Sequence, residues 1–266
     1  MKISYYKSFW GMPAIPTRQK LMMVAEAGYD GVEFDLPDES PEEWNALLAE
    51  FHLKYIAMVF PITAEQAIDQ LKIAATYNPV LVDMHDGKDF YTFEEGSAFY
   101  REVLLAEKDL GLTVGHETHR GRLLYSPWTT MRYLEKFPEL RLTADFSHWC
   151  NVTESLLDNE RMQPFLDIAI ERSVHIHGRV GYAEGPQVPD PAAPEWESAL
   201  LRHETLWDRI VQRHEAAGAK ELSFDPEFGP PAYMHTLPHT NQPVADLWTV
   251  CKWMADRQRV RWARHR

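Results

Sequence analysis

Acidic and histidine residues recur in short clusters along this sequence, each at the point where an apolar, β-branched run ends. The six clusters are Asp83-Met84-His85, His116-Glu117-Thr118-His119, Asp145-Phe146-Ser147-His148, His175-Ile176-His177, Asp225-Pro226-Glu227 and, as the weakest of them, Glu33-Phe34-Asp35. Buried carboxylates and imidazoles are costly unless they are paired or bind a metal. Their repetition at the same end of successive strands predicts one shared polar pocket, most simply a divalent metal site.

Strand-like runs alternate with segments of helical spacing along the chain. The strand-like runs are Ile3–Ser8, Gly31–Asp35, Tyr55–Phe60, Val80–His85, Leu112–Glu117, Arg141–Asp145, Ser173–Arg179 and Glu221–Glu227. The helical segments are Thr17–Ala27, Ser40–Phe51, Thr63–Tyr77, Phe93–Leu110, Trp128–Phe137, Thr153–Glu171, Ser198–Ala217 and Val244–Arg257. This alternation indicates parallel βαβ units and an α/β fold.

The choice between a closed barrel and an open sheet depends on the first turn. An open doubly wound sheet usually has a glycine-rich phosphate-binding turn after its first strand. Here Ser8-Phe9-Trp10-Gly11-Met12-Pro13 occupies that position. We therefore predict a (β/α)8 TIM barrel that forms a single domain over residues 1–266, with its active site at the carboxyl ends of the strands.

Composition narrows the classes of function. The 266 residues carry a net charge of −13, which argues against a nucleic-acid partner because phosphate binding requires a positive surface. Apolar runs are too short to span a membrane, no secretion signal is apparent, and two cysteines suit a reducing cytoplasm. The basic segment from Arg257 to Arg266 holds five arginines, and we interpret it as a solvated last helix rather than an anion-binding arm.

Strand alternation indicates which of the clustered residues share a face. Glu117 points with His119, and His175 points with His177 and Arg179. The predicted metal ligands are Glu117, Asp145, His177 and Glu227. His175 is the alternative imidazole ligand, although His177 lies nearer the strand end. Three carboxylates and one imidazole favour a single Mn²⁺, Mg²⁺ or Co²⁺ ion, with Zn²⁺ as the alternative.

The segment Asp145-Phe146-Ser147-His148 resembles the Asp-x-x-His motif of the xylose isomerase-like TIM-barrel superfamily. This sugar phosphate isomerase/epimerase group includes ketohexose 3-epimerases, hydroxypyruvate isomerase, inosose dehydratase and endonuclease IV. In its sugar epimerases the metal is held by a glutamate after strand five, the motif aspartate, a strand-seven histidine and a strand-eight glutamate. The resemblance places these roles on Glu117, Asp145, His177 and Glu227, and implies that His148 and Arg179 contact the substrate.

The chemistry implied by the resemblance is proton transfer next to a carbonyl group. Glu117 and Glu227 would be the catalytic pair that removes and returns the proton. His85 and His119 either support substrate binding or belong to the hydrogen-bonded scaffold. The Trp10 ring is predicted to stack on a sugar face, and its alternative role is packing in the core or at a subunit contact.

A group of three arginines and a proline-rich segment each have two possible roles. Arg120, Arg122 and Arg179 either bind a phosphate or carboxylate of the substrate or neutralise the acidic cluster. The proline-rich segment Gly178–Pro191 is predicted to form a wall of the pocket, with a surface excursion as the alternative.

The sequence thus predicts an enzyme, a metal-dependent isomerase or epimerase acting on a sugar, sugar phosphate or keto-polyol. Its alternatives are a lyase resembling inosose dehydratase and a multi-zinc phosphodiesterase of the endonuclease IV type. A non-catalytic sugar-binding role would not account for the converging acids and imidazoles. The expected partner is a small carbohydrate, without nucleic acid or membrane, and the acidic surface permits a homo-oligomer.

Overall fold

The structure is a computed structural model and describes residues 1–263. Its strands are β1 (Lys2–Ser8), β2 (Gly31–Asp35), β3 (Lys54–Val59), β4 (Leu81–Met84), β5 (Val114–Glu117), β6 (Leu142–Ala144), β7 (Ser173–His177) and β8 (Glu221–Asp225). Each strand pairs in parallel with the next, and β1 pairs in parallel with β8 to close the barrel. The predicted single-domain (β/α)8 barrel is confirmed.

Nine α-helices surround this barrel within residues 1–263. They are α1 (Thr17–Glu26), α2 (Pro41–Phe51), α3 (Ala64–Thr76), α4 (Phe93–Leu110), α5 (Pro127–Lys136), α6 (Phe146–Val152), α7 (Gln163–Arg172), α8 (Glu197–Ala216) and α9 (Leu247–Ala263). Three of them begin with a reciprocal capping box, in which Ser40, Thr63 or Thr92 accepts a hydrogen bond from the backbone three residues later. These caps fix the first turn after the loops that follow the strands.

The predicted helix over Thr153–Glu171 is wrong in its first ten residues and confirmed from Gln163 onward. The structure has the short helix α6 before that segment and α7 only from Gln163, with an irregular stretch between them. Asp145 starts α6, because its side chain accepts a hydrogen bond from the Ser147 backbone N–H at 3.0 Å. Glu154 and Leu157 then adopt positive φ values of 47° and 58°, which are incompatible with a continuous helix.

The hydrophobic core lies mainly between the barrel and its helices, where Trp44, Trp149 and Trp207 are fully buried. A small apolar layer of Tyr6, Ile56 and Leu81 fills the inside of the barrel. This layer lies two residues nearer the amino ends of β3 and β4 than the inward-facing Met58 and Asp83. It closes the barrel below the polar clusters.

The absence of a side chain at Gly31 leaves the space that the Tyr6 ring occupies in that layer. A Cβ atom on Gly31 would lie 2.4 Å from the Tyr6 ring and 2.6 Å from the Lys54 carbonyl oxygen. Since neither the strand backbone nor the buried ring can move away, a side chain at position 31 would displace the layer.

The predicted basic segment at the carboxyl end is helical as far as Ala263. Arg257 donates to the buried Glu204 at 2.7 and 3.0 Å, and Arg261 donates to Asp208 at 2.7 Å. Both acids lie on α8, so these arginines pair within the chain. The rest of the segment, residues 264–266, lies outside the described residues. Among residues 1–263, no helix has the length and apolar character needed to cross a membrane.

Candidate metal centre

The structure brings the four predicted ligands to one buried point at the carboxyl ends of the strands. Glu117 and His177 are the last residues of β5 and β7, while Asp145 and Glu227 follow β6 and β8. One potential ligand atom from each residue lies within 4.8 Å of those of the other three. The closed barrel explains this convergence, because four neighbouring parallel strands end at the same rim.

His177 lies among the three carboxylates. Its Nδ1 atom is 3.4 Å from Glu117 Oε1, 3.4 Å from Glu227 Oε2 and 4.0 Å from Asp145 Oδ2. Neither His177 Nδ1 nor either Glu117 oxygen has a hydrogen-bond partner among the described residues. Buried polar atoms without partners are costly. A cation placed between them would satisfy all of them, so the donor set fits a divalent metal.

Glu33 orients the imidazole of His177. Glu33 Oε1 lies 3.0 Å from His177 Nε2, and its other oxygen lies 3.0 Å from His175 Nε2. A proton on Nε2 of His177 leaves the Nδ1 lone pair directed at the cluster, as a metal ligand requires. Burial alone would raise the pKa of Glu33, yet the two imidazoles hold it well below its usual value. The sequence indicated Glu33 only as part of the weakest cluster.

His175, the alternative ligand, does not belong to the four-residue cluster. Its Nδ1 atom lies 2.7 Å from Ser223 Oγ, and its Nε2 atom faces Glu33. Glu33, His175 and His177 form a separate group with ligand-like spacing. The structure thus places His175 one layer deeper in the barrel than His177.

Arg179 provides the positive charge next to the cluster. Its guanidinium is fully buried, forms an ion pair with Asp145, and lies 3.5 Å from Glu227 Oε2. It also donates to Ser147 Oγ at 3.1 Å. Asp145 therefore begins α6 through one oxygen and pairs with Arg179 through the other.

The buried charges shift one another's protonation. Burial raises the pKa of Glu227 to about 7, against the opposing attraction of His177 and Arg179. Burial alone would lower the pKa of His177, but Glu33 and Glu227 raise it well above its usual value. Without a metal ion, these carboxylates therefore favour the positively charged imidazolium form of His177.

A cleft of about 350 Å³ opens above the cluster. It is lined by Ser8, Trp10, Phe34, Asp35, Met58, Phe60, His85, His119, Arg122, Arg179, Glu227 and Tyr233. Aromatic and ionisable side chains are interleaved in this lining, since Phe60 packs against His85 and Arg179 lies over the Trp10 and Tyr233 rings. This size suits a ligand of small-molecule dimensions.

Four of the five predicted substrate-contacting residues line this cleft: Trp10, His85, His119 and Arg179. His85 Nε2 lies 2.6 Å from Glu117 Oε2, although the two atoms are not aligned for a hydrogen bond. The fifth, His148, is fully buried behind the ring of His119, with the two ring centroids 3.8 Å apart. Burial holds the pKa of His148 well below its usual value, and that of His119 at about 3, so both imidazoles are neutral.

The proline-rich loop after β7 is fixed to the segment that carries Glu227. The Gln187 side chain accepts from the Gly229 backbone N–H at 2.7 Å and donates to the Gly229 carbonyl oxygen at 3.0 Å. His203 on α8 holds the same loop by accepting from the Gly181 backbone N–H at 3.2 Å. Of the predicted pocket-wall segment Gly178–Pro191, only Arg179 lines the cleft. The loop is held on neighbouring segments by buried polar contacts that nothing in the sequence motif indicates.

Replacing Gln187 by glutamate is expected to lower the free energy of unfolding by about 1–3 kcal/mol. Glutamate lacks the amide N–H group that donates to the Gly229 carbonyl oxygen. A carboxylate oxygen would instead face that carbonyl oxygen, so two buried acceptors would lie against each other. Denaturant unfolding measures the effect, with Gln242→Glu at an exposed position as the control. Equal stability of the two variants would show that Gln187 does not hold the loop.

Comparison with known proteins supports the fold. No known protein family and no curated sequence matches this chain. Among solved structures, it is similar to the probable 3-DHS dehydratase AsbF of Bacillus anthracis, with a TM-score of 0.59, 14% identity, and coverage of 86% of this chain and 94% of that one. A sugar phosphate isomerase/epimerase from Parabacteroides distasonis gives a TM-score of 0.57 and 11% identity, covering 86% and 87%.

Endonuclease IV from Thermus thermophilus is also similar, with a TM-score of 0.56, 12% identity, and coverage of 86% of this chain and 94% of that one. At these identities the comparisons establish the fold alone. That fold is the one shared by the xylose isomerase-like TIM barrels.

Proposed function

We propose that this chain is a divalent-metal-dependent isomerase or epimerase that acts on a sugar, sugar phosphate or keto-polyol. The observation that carries the proposal is the convergence of three carboxylates and one correctly oriented imidazole beneath a cleft of small-molecule size. Structural similarity to a sugar phosphate isomerase/epimerase supports the same class of reaction.

The residues that would hold the metal are Glu117, Asp145, His177 and Glu227. Such an oxygen-rich set favours Mn²⁺, Mg²⁺ or Co²⁺ over zinc. When bound, the ion would polarise a substrate carbonyl and so acidify the adjacent C–H bond. His177 can contribute Nδ1 because Glu33 accepts the proton of Nε2.

Glu117 and Glu227 are placed to move the proton. They come from β5 and from the segment after β8, so they approach the cluster from different sides of the barrel mouth. One carboxylate can remove a proton from carbon while the other returns it on the opposite face. Arg179 keeps Asp145 and Glu227 in place through its buried guanidinium.

Dehydration of a keto-polyol is the second candidate reaction. It begins with the same proton abstraction next to a carbonyl, and the probable dehydratase AsbF has the highest TM-score of the three structures compared. Phosphodiester hydrolysis has weaker support, because the net charge is −13 and the cleft has only about 350 Å³.

The metal content of the purified protein tests the proposal. We expect one manganese, magnesium or cobalt ion per chain by elemental analysis, and at least about 10-fold weaker metal binding in Glu227→Gln. Glu184→Gln, at an exposed position in the loop after β7, is the matched control and should bind metal as the native chain does. The metal-loaded protein should exchange a C–H proton of a ketose with solvent, and a chelator should stop it.

Two other results would overturn the proposal. Two or three zinc ions per chain would favour the phosphodiesterase, since the residues His85, Glu117 and His119 form a further group with ligand-like spacing. A chain that binds no metal after reconstitution would show that the acids and histidines are scaffold.

A further inference from the structure

The three arginines near the site have different surroundings. Arg179 is committed to Asp145 and lies beside Glu227. Arg120 donates to Asn151 Oδ1 at 3.0 Å and is not part of the cleft lining. Arg122 lines the cleft. Arg120 thus lies outside the cleft lining. Arg179 lines the cleft but is paired with the acidic cluster, whereas Arg122 lines it without an ion pair to any of residues 1–263.

Arg122 has few partners of its own. Its Nη1 atom donates to the Gly87 carbonyl oxygen at 3.3 Å, and within residues 1–263 no carboxylate forms an ion pair with its guanidinium. Its guanidinium forms no other hydrogen bond within residues 1–263, and the side chain lines the cleft. A guanidinium presents parallel N–H groups that match the two oxygens of a carboxylate or phosphate.

The nearest acids are already engaged. Asp86 binds His116 at 2.9 Å and accepts from the Tyr100 hydroxyl at 2.6 Å, while Glu117 faces His85 and His177. Burial lowers the pKa of Arg122, and the attraction of Asp86 and Glu117 offsets this only in part. Arg122 thus carries a partly desolvated charge that attracts Asp86 and Glu117 but forms an ion pair with neither, and an anionic ligand would stabilise it.

The rest of the cleft lining mixes aromatic and ionisable side chains. Tyr233 packs its ring edge on Trp10 with centroids 4.9 Å apart, and the paired guanidinium of Arg179 lies over both rings. Asp35 and Glu227 are the carboxylates of the lining. A ligand in this cleft therefore meets the metal ligand Glu227, aromatic rings and the guanidinium of Arg122.

We infer that Arg122 binds an anionic group of the substrate, so the substrate is a hydroxylated ketone that carries a carboxylate or a phosphate. This inference rests on the proposed function for the reaction at the metal centre. The anion-binding role of Arg122 is independent of that reaction, because it follows from the cleft and the unpaired guanidinium.

Three six-carbon ketoses serve as probes because they differ mainly in charge: D-fructose, D-fructuronate and D-fructose 6-phosphate. Calorimetric titration of the metal-loaded protein should give about 10- to 100-fold tighter binding of one anionic ketose than of fructose. Arg122→Gln should remove that preference, so that the anionic ketose binds no more tightly than fructose does. Arg132→Gln is the control, since Arg132 is exposed and stacks on Phe93 at 4.0 Å. Malonate and inorganic phosphate, titrated in parallel, report anion binding without a ketone.

The pattern of results separates the two claims. Tighter binding of the keto acid identifies a carboxylate, and tighter binding of the phosphorylated ketose identifies a phosphate. If anion binding depends on Arg122 but no ketose exchanges its proton, the anion site stands and the proposed function fails. Equal binding of malonate and phosphate to Arg122→Gln and the native chain, or no preference for either anionic ketose, would overturn the role of Arg122.

Discussion

Replacing either Glu117 or Glu227 by glutamine is expected to lower turnover by about 10²–10⁴-fold in metal-saturated protein. Glutamine keeps an oxygen that can bind metal but cannot take up or return the proton. The two glutamates are the acid and base in the proposed reaction, so each variant should lose exchange of the substrate C–H proton with solvent. The measurement is the exchange rate by NMR, with metal content determined on the same samples.

The control for this pair is Glu184→Gln, which changes an exposed glutamate of the neighbouring loop and should retain full turnover. Metal content distinguishes a lost base from a lost ligand. Undiminished turnover in either variant, with metal still bound, would exclude that glutamate from proton transfer.

Asp86→Asn is expected to destabilise the fold by about 3–5 kcal/mol. His116 points away from the barrel interior, and its Nδ1 atom lies 2.9 and 3.0 Å from the two Asp86 oxygens, while Nε2 lies 3.0 Å from Glu107. Burial alone would lower the pKa of His116, but Asp86 and Glu107 raise it to about 10. Asparagine would leave a buried imidazolium with one carboxylate instead of two.

The effect of Asp86→Asn should depend on pH. Because the folded pKa of His116 lies above its unfolded value, the ion pair contributes fully below about pH 6.5 and is lost as pH rises through 10. The difference in unfolding free energy between the variant and the native chain should therefore narrow from pH 7 to pH 10. Asp89→Asn, at an exposed position in the same loop, should change stability by less than about 0.5 kcal/mol. A pH-independent difference would show that His116 is not charged.

The barrel could be predicted from sequence because its elements depend on local patterns. Apolar runs that end in polar clusters indicate strands, and capping residues such as Thr92 mark helix starts. The four predicted ligands could be brought together on the same basis, since parallel strands expose their carboxyl ends at one rim. The first half of the predicted helix over Thr153–Glu171 is wrong because a separate helix, α6, begins earlier at its N-cap Asp145. The chain then leaves the helical conformation at Glu154 and Leu157, which have positive φ.

The supporting contacts could not be predicted, because they join residues far apart in sequence. Glu33 and His177 are 144 residues apart and meet across the inside of the barrel. Gln187 meets Gly229 only because two loops cross. Arg122 lacks an ion pair because Asp86 and Glu117 have other partners, His116 and His85. No local sequence pattern predicts those pairings.

The apolar layer of Tyr6, Ile56 and Leu81 has a consequence for the order of events at the site. It fills part of the barrel interior beneath the candidate metal centre, while the cleft opens above that centre. A reactant and a product that both pass through the cleft would exchange in turn, each blocking the other while bound. Turnover would be limited by how quickly the cleft is vacated whenever release is slower than the proton transfers within it.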